Sequence, residues 1–462
     1  MLKNYIIIFI AILVWGGAVY SQEEEIYSQN ERPLNLPDCI KIALENNSTL
    51  RNAGRRVEFA GADVTSAWSS VLPRINSSIS SGKYIQGARR MKTDVPRGVD
   101  PETGNVIYEQ QVITQDRTER NSYGARISLS QNIWDFGRSS NNIRGAKAIE
   151  ASSEYSYQDT RLAVILNVKK SYYDLLRTIK LVQVYKQAVD YAEEQVEEAK
   201  TRLDIGLASQ AEVYQARVNL GNNKRDYITQ QNLVQIARAN LNSALGIDPS
   251  TPVEVVEDET ETIFPEYTFD QALEIAIDEN QNIKALEMDV KRYYYNLASA
   301  KARYMPTIGG SISYSRNNDQ YERVFSTDLN EDFTATIGVQ LDLNIFKGFA
   351  DKAAIQKARI NYDMAMENLR EAKRLLTVDV KQYFLNLEAY RDFLQINKEN
   401  IEAASENLRL QQERRRVGSG TELEVTQAQV ELVSAQSAYV RAEYEAKIAR
   451  AELETAMGME EN

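Results

Sequence analysis

The chain has 462 residues, and 54 Lys and Arg against 66 Asp and Glu give it a net charge of −12. It contains no His and a single cysteine, Cys39, so it lacks the commonest general base and metal ligand and cannot form an internal disulfide. The acidic charge argues against nucleic acid as the main partner. The composition therefore indicates a protein that is not an enzyme, and we expect no cofactor, no catalytic residues and no metal site.

The first segment has the features of a secretory signal peptide. Lys3 gives a positively charged start, an apolar run extends from Tyr5 to Val14, and small residues follow at 16–18. A membrane anchor is the alternative, but the apolar run is shorter than the ~20 residues that a spanning helix needs. We therefore expect an exported chain without a transmembrane helix.

The chain contains an internal repeat. Residues 39–81 match 272–314 without a gap, and residues 132–248 match 344–460 without a gap. The first copy carries extra residues in the polar segment 82–122. The predicted organisation is a signal peptide at 1–21, repeat 1 at 34–248, a linker at 249–266 and repeat 2 at 267–460.

Each repeat is predicted to contain a helix, a β-hairpin, a long helix and a second helix. The first helices end at Pro73 and Pro306, and an extended segment follows each proline. Apolar and polar residues alternate over 333–345, a pattern typical of a half-buried strand or of a strand in an outer-membrane barrel. In repeat 1 the hairpin is predicted to carry a long loop at 82–122, which holds several turn signals.

The long helices are predicted from uninterrupted sequence. No proline occurs in 139–203 or in 350–417, so each segment can form a helix on the order of 95–100 Å long. Apolar residues recur at alternating spacings of three and four over 182–203 and again over 425–453, which is a heptad pattern.

Length matching predicts how these elements combine. The first helix of a repeat (about 38–71) and its last helix (about 209–245) together match the long helix, and we expect them to lie end to end beside it. Four strands are too few to close a membrane barrel, which needs about eight or more. Because open sheet edges are not tolerated in lipid, the chain must oligomerise if its strands enter a membrane.

Several motifs recur in a fixed order along the chain. They are Leu36-Pro-Asp-Cys-Ile-Lys-Ile-Ala-Leu-Glu-Asn-Asn47 and its second copy Phe269-Asp-Gln-Ala-Leu-Glu-Ile-Ala-Ile-Asp-Glu-Asn280, Leu72-Pro73, Met305-Pro306, Asn132-Ile-Trp-Asp-Phe-Gly137, Asn344-Ile-Phe-Lys-Gly348 and Val417-Gly-Ser-Gly-Thr-Glu-Leu-Glu-Val425. In this order, duplicated and behind a signal peptide, the motifs resemble the outer-membrane efflux proteins of the TolC type over residues 34–460.

The resemblance implies an α+β fold that is mainly α. Long antiparallel helices would form an α-barrel, and each chain of a homotrimer would give four strands to a 12-stranded transmembrane β-barrel. It also implies a location in the outer membrane of a Gram-negative cell, extending into the periplasm, in contact with outer-membrane lipid. The implied partners are a periplasmic adaptor (membrane fusion) protein and an inner-membrane transporter.

The function implied is that of a channel in a tripartite efflux or type I secretion system, which exports small molecules or proteins. The residues leave one alternative open, a secreted or periplasmic coiled-coil scaffold or adhesion protein without a channel. That alternative explains the heptads and the export signal but leaves the two alternating hairpins unexplained. A hydrolase is disfavoured, because the chain has no His and no nucleophile motif.

The resemblance further assigns roles to the two helix turns, which would form the periplasmic tip where the duct narrows. The positions expected to contact the adaptor are Gly206, Leu207, Gly418 and Gly420. The acidic position after the turn matches Glu424, with Glu212 as its equivalent in repeat 1. Three copies of Glu424 around a narrow bore would attract cations.

The sequence departs from the best-known family pattern at three positions of this tip. Gln427 stands where that pattern has a second acid, Gly420 where it has an arginine that holds the gate shut, and Arg415 where it has a tyrosine. The candidates for a different gate contact are Arg414, Arg415 and Arg416, with Glu212 and Asp204 as possible partners. The alternative is that these arginines lie on an exposed loop, where their charges are solvated by water and form no gate contact.

Four aromatic residues lie where a predicted strand passes into a helix. They are Trp134, Phe136, Phe346 and Phe349. Such a cluster is typical of an interfacial aromatic belt, and ordinary core packing is the alternative. Cys39, at the start of the first helix, is interpreted as a small buried residue.

Overall fold

A computed structural model of the chain describes residues 33–257, 264 and 268–459. The predicted signal peptide at 1–21 lies outside the described residues, as does part of the predicted linker. The chain divides into two compact units. Unit 1 takes its described residues from Met1–Leu50, Arg161–Gln271 and Val380–Asn462, and unit 2 from Arg51–Thr160 and Ala272–Asp379.

Helices make up most of the described chain. They are α1 (Leu36–Asn46), α2 (Ser48–Trp68), α3 (Arg138–Asp204), α4 (Gln210–Leu245), α5 (Phe269–Glu279), α6 (Gln281–Lys301), the single turn α7 (Tyr321–Val324), α8 (Ala350–Arg416) and α9 (Glu422–Ala456). Both α3 and α8 have 67 residues, as the absence of proline predicts. Over the residues that the structure describes, no helix combines the length and the apolar character needed to cross a bilayer.

The helix predicted over about 38–71 is interrupted at Asn47. The Asn47 backbone is extended, with ψ at 119°, and its Oδ1 accepts a hydrogen bond from the N–H of Thr49 at 2.9 Å. Asn280 separates α5 from α6 in the same way, accepting from the N–H of Ile283 at 3.1 Å. Each asparagine ends one helix and starts the next, because its side chain competes for the backbone donors that a continuous helix would use.

The core of unit 1 is built from paired helices. Heptad positions of α3 and α4 pack together through Val196, Ala199, Val213 and Ala216. Those of α8 and α9 pack through Leu408, Val425 and Ala428. The predicted apolar stripes are therefore the packed faces, and their alanines allow the helix axes to approach closely. Cys39 of α1 is fully buried, as expected, and burial raises its thiol pKa to about 12.

Gly246 ends α4 in a conformation that favours glycine. Its φ is 75°, and a Cβ at this position would lie 2.9 Å from the carbonyl carbon and oxygen of Asn46. We expect Gly246→Ala to lower the melting temperature of the purified protein, with a loss of about 1–3 kcal/mol, because both the positive φ and the close approach oppose a side chain. Gly221→Ala is the matched control within α4, since a Cβ there meets nothing within 4 Å. The control is expected to be neutral or stabilising, and an equal effect of both changes would contradict the prediction.

Unit 2 contains a four-stranded antiparallel sheet. Its strands, in spatial order, are β1 (Arg74–Gln86), β4 (Thr118–Trp134), β5 (Thr307–Asn318) and β6 (Phe333–Asp342). Pro73 and Pro306 directly precede β1 and β5. The sheet is open, with β1 and β6 at its edges.

The register of this sheet separates its two faces. Apolar residues are paired with apolar residues, as in Ile75 with Leu129 and Ile312 with Ile337. The alternating positions carry Ser, Thr, Asn, Gly and Arg. The sheet therefore has one apolar face and one polar face, as the alternation over 333–345 predicts, although β6 ends at Asp342.

The segment 82–122, which was predicted as a long loop, contains regular strands. The ends of β1 and β4 extend into this segment, and β2 (Arg89–Val99) and β3 (Val106–Gln115) form a separate two-stranded antiparallel sheet. The turn is confined to the residues between β2 and β3. Val, Ile, Thr and Tyr in β3 favour extended backbone, and this local preference prevails over the polar character of the segment.

Candidate functional site

The two long helix turns of unit 1 share one backbone geometry. Gly206 follows α3 and Gly418 follows α8, each with a φ of 78°. The N–H of the residue after each glycine donates to a carbonyl in the last helical turn, that of Arg202 or that of Arg414, at 2.8 Å in both cases. These are Schellman motifs, in which a glycine adopts the left-handed conformation that ends the helix.

Apolar side chains surround these turns and are exposed. Leu207, which the sequence analysis singles out, is exposed together with Ile205, Val417 and Leu423. The last three were missed by the sequence analysis, although each lies within five residues of a turn glycine in the printed sequence. Large exposed apolar side chains grouped at a turn are typical of a surface that another molecule covers.

Glu424 and Glu212 occupy the same position in two capping boxes. The Thr421 N–H donates to the Glu424 carboxylate at 2.7 Å, and the Glu424 N–H donates to the Thr421 hydroxyl at 3.3 Å. Glu212 accepts from the Ser209 N–H at 3.2 Å at the start of α4. Hydrogen bonds from the Thr421 N–H and hydroxyl, aided by the Arg414 charge, lower the pKa of Glu424. Glu424 is therefore ionised throughout the physiological pH range.

Arg415 is a buried cation that joins α3 to the start of α9. Its side chain is 8% exposed and forms ion pairs with Glu422 at 2.9 Å and with Glu198 at 3.2 Å. It also donates to the amide oxygen of Gln195. Burial raises the pKa of Glu422, while the Arg415 charge acts to lower it. The bridge thus depends on both partners, because removing either one would leave a poorly hydrated charge behind.

The three arginines at the end of α8 have partners other than the suggested Glu212 and Asp204 in the part of the chain that the structure describes. Arg414 lies 3.6 Å from Glu424, Arg415 contacts Glu198 and Glu422, and Arg416 contacts Glu413 at 2.9 Å. Asp204 is the exposed last residue of α3. Arg415 is the buried member of the three, whereas Arg414 and Arg416 are exposed.

Gly420 and Gln427 have structural explanations of their own. A Cβ at Gly420 would lie 3.0 Å from the Arg415 backbone nitrogen, so the α8–α9 turn is too tight for the arginine of the best-known pattern without a shift. The Gln427 amide donates to Glu431 at 3.2 Å along α9. Neither position carries a charged side chain, and the ion pairs between helices at this turn are those of Arg414 with Glu424 and of Arg415 with Glu198 and Glu422.

The aromatic residues at the strand–helix junctions are exposed in the single chain. Trp134 meets Phe136 edge to face with ring centroids 6.0 Å apart, and Phe346 meets Phe349 at 5.5 Å. All four remain outside the core of unit 2. Core packing within the single chain therefore does not account for them, and the interfacial belt remains a prediction.

A second group of aromatic residues, missed by the sequence analysis, lies at the other end of the four-stranded sheet. Tyr314 stacks on Phe333 with centroids 5.5 Å apart, and Tyr123 contacts Tyr321 of α7 at 6.2 Å. Tyr123, Tyr314 and Phe333 belong to the apolar face by register. Phe333 begins β6, Tyr123 lies in the first part of β4 and Tyr314 lies in the last part of β5, and these positions were the sequence signal that could have revealed them.

Comparison with known proteins identifies the family. A family model described as outer membrane efflux protein matches residues 39–247 and 272–459. The chain belongs to this family, whose members are channel proteins rather than enzymes, and the sequence resemblance to the TolC type is confirmed. It is an efflux protein of the outer membrane.

Individual relatives agree with this assignment. The outer membrane efflux protein BepC of Brucella suis is 25% identical over 92% of this chain and 85% of its own length. The outer membrane protein TolC of Vibrio cholerae is 24% identical over 92% of this chain and 90% of its own length. The crystal structure of the outer membrane protein VceC of Vibrio cholerae shares the fold, with a TM-score of 0.76 and 17% identity over 92% of this chain and 96% of that one.

Proposed function

We propose that three copies of this chain form a channel that spans the outer membrane as a 12-stranded β-barrel and continues into the periplasm as an α-helical duct. The observation that supports this most directly is the open sheet of unit 2, which has an apolar face and two unpaired edges, β1 and β6. Unpaired edges cannot be placed in lipid, and four strands cannot close a barrel alone. Pairing β6 of one copy with β1 of the next gives the backbone N–H and C=O groups of both edges hydrogen-bonding partners.

Exposed apolar residues on the helices of unit 1 support the trimer independently. Val218 and Ile228 of α4 and Leu385, Phe393 and Ile396 of α8 are all exposed in the single chain. Exposed large apolar residues on one long helix are typical of a face that packs against another helix. Neighbouring copies of the chain would cover them.

The two aromatic groups support the position in the membrane. One lies at the strand–helix junctions and the other at the far end of the sheet, with the apolar residues of the four strands between them. Strands of roughly 9–11 residues with aromatic residues at both ends are the pattern of outer-membrane barrels. The apolar face would contact outer-membrane lipid, and the polar face would line the bore.

The turns support docking with the remaining components of a tripartite system. The exposed Leu207 and Leu423 beside the Gly206 and Gly418 turns offer a periplasmic adaptor an apolar surface. With an inner-membrane transporter, the assembly would export small molecules or proteins in one passage. The matching turns and capping boxes of α3–α4 and α8–α9 also support the proposed repeats at 34–248 and 267–460.

The assembly is tested by extracting the native chain from outer membranes with detergent. We expect trimers that resist heating and that conduct ions in planar bilayers. A monomer that stays soluble without detergent would overturn the proposed channel and favour the scaffold alternative.

Glu424 is proposed to be a charged residue of the periplasmic tip, and Glu424→Gln tests this role. Gln retains the hydrogen-bonding pattern of a capping box, so the change removes charge while keeping the start of α9 intact. In planar bilayers the variant trimer is expected to show lower cation selectivity and weaker block by multivalent cations, more clearly at low salt.

Glu431→Gln is the matched control on the same helix. Glu431 accepts hydrogen bonds from Gln427 and Asn407 and lies two turns beyond Glu424. We expect this control to leave selectivity unchanged. Unchanged selectivity and cation block in Glu424→Gln itself, with the trimer intact, would show that Glu424 serves only as a helix cap.

A further inference from the structure

The polar face of the four-stranded sheet carries cations but almost no acids. The strand register places three arginines on it, Arg74 of β1 and Arg120 and Arg126 of β4. Within the described sheet, the acidic residue on this face is Asp342, the last residue of β6. The remaining positions are mainly small and neutral. The net charge of the face is therefore positive in a chain whose net charge is −12.

Arg126 lies in the middle of this face among serines. Its cross-strand neighbours are Ser78 of β1 and Ser315 of β5. Arg74 pairs with Ser130 in the same way. Both arginines are exposed, and neither forms an ion pair with any residue that the structure describes. Their charges are thus available to a solute rather than neutralised by the fold.

Arg120 lies farther along the same face. It is opposite Tyr84, and its guanidinium is 5.9 Å from the centre of the Tyr84 ring. Such a contact positions the cation without neutralising its charge. The three arginines therefore follow one another along the polar face, two of them on β4 and one on the neighbouring β1.

We propose that this face attracts and selects small anionic solutes during export, with Arg126 as its central residue. The inference rests on the proposed trimer, in which the polar face lines the bore and three copies of each arginine surround it. Rings of charged side chains set the ion preference of a pore. A guanidinium group can donate two parallel hydrogen bonds to two oxygens of one carboxylate or phosphate. The solutes favoured would therefore carry carboxylate, sulfate or phosphate groups.

The test is the ion selectivity of the full-length trimer in planar bilayers, with citrate as the anionic probe. We expect the triple variant R74S/R120S/R126S to shift the reversal potential in a tenfold KCl gradient towards potassium. The shift should be largest at low ionic strength, because the Debye length grows from about 8 Å at 0.15 M to about 30 Å at 0.01 M. Citrate should reduce the potassium chloride current through the native channel and have little effect on the variant.

Two controls make the result specific. R126K keeps the charge and is expected to keep the native selectivity, whereas R126S alone should shift it in the same direction as the triple variant. R89S removes one arginine from β2, which belongs to the separate two-stranded sheet, and should leave selectivity unchanged. An intact, conducting triple variant that behaves like R89S would overturn the inference. Absence of conducting trimers from the native chain would instead overturn the proposed function.

Discussion

Ile337→Lys is expected to destabilise the membrane-inserted trimer by about 2–4 kcal/mol per chain, because in the proposed barrel it would place a charge on the lipid face near the middle of the bilayer. Ile337 of β6 is 80% exposed in the single chain and is paired with Ile312 in the middle of the apolar face. Such exposure of an apolar side chain is unfavourable in water and favourable in contact with lipid. The measurement is urea unfolding of the trimer in lipid vesicles, together with the yield of heat-resistant trimers.

Thr336→Lys is the control for this change. Thr336 is the preceding residue of β6 and is paired with Ser313 on the polar face. A lysine there would extend into a water-filled bore and is expected to cost much less. Equal losses at positions 336 and 337 would contradict the assignment of the apolar face to lipid.

Arg415→Met is expected to weaken the contact between α3 and the start of α9. Breaking a buried ion pair by removing one partner commonly costs about 3–5 kcal/mol, but Glu198 is half exposed, so we expect about 1–3 kcal/mol here. Amide hydrogen exchange at the α8–α9 turn would measure this loss as faster local opening. If the turn forms the gate, the variant trimer should also conduct more.

The loss in Arg415→Met should depend on pH. Removing the arginine takes away the charge that lowers the pKa of Glu422, so burial raises that pKa further. A carboxyl whose pKa is higher in the folded state binds more protons there, so local stability falls as pH rises through the folded pKa. The defect should therefore be larger at neutral pH than at acidic pH.

Arg416→Met provides the matched comparison on the same turn. Arg416 is 77% exposed and its partner Glu413 is three residues earlier on the same helix, so its removal should change stability by only a few tenths of a kcal/mol. A similar effect of both substitutions, or an Arg415→Met defect that does not vary with pH, would show that the buried bridge does not hold α3 and α9 together.

The elements that could be predicted from the sequence are those encoded by local periodicity. The heptads of α3 and α9, the alternation of β6 and the capping box at Thr268, whose N–H donates to Gln271 at 2.9 Å, all depend on residues close together in the chain. The helix breaks at Asn47 and Asn280 have an equally local cause, but a single asparagine within an otherwise helical pattern is a weak signal.

The candidate site was predictable in position but not in its contacts. The glycines locate the two turns. The spacing of Thr421 and Glu424 is a capping-box signature, although the sequence analysis assigned Glu424 only the role that the family resemblance implies. The bridge from Arg415 to Glu198 could not be predicted, because it joins residues of two helices that are far apart in the chain. Only the packing of α3 beside the α8–α9 turn brings these charges together.

The equal length of α3 and α8 limits how this protein can change its size during evolution. A single residue inserted into α3 would rotate the rest of its apolar stripe by about 100° away from α4, since an α-helix has 3.6 residues per turn. An insertion of about seven residues nearly restores the stripe, and it must occur in the partner helices as well. Such a protein is therefore expected to lengthen or shorten in matched steps of roughly 10 Å, each two turns of helix.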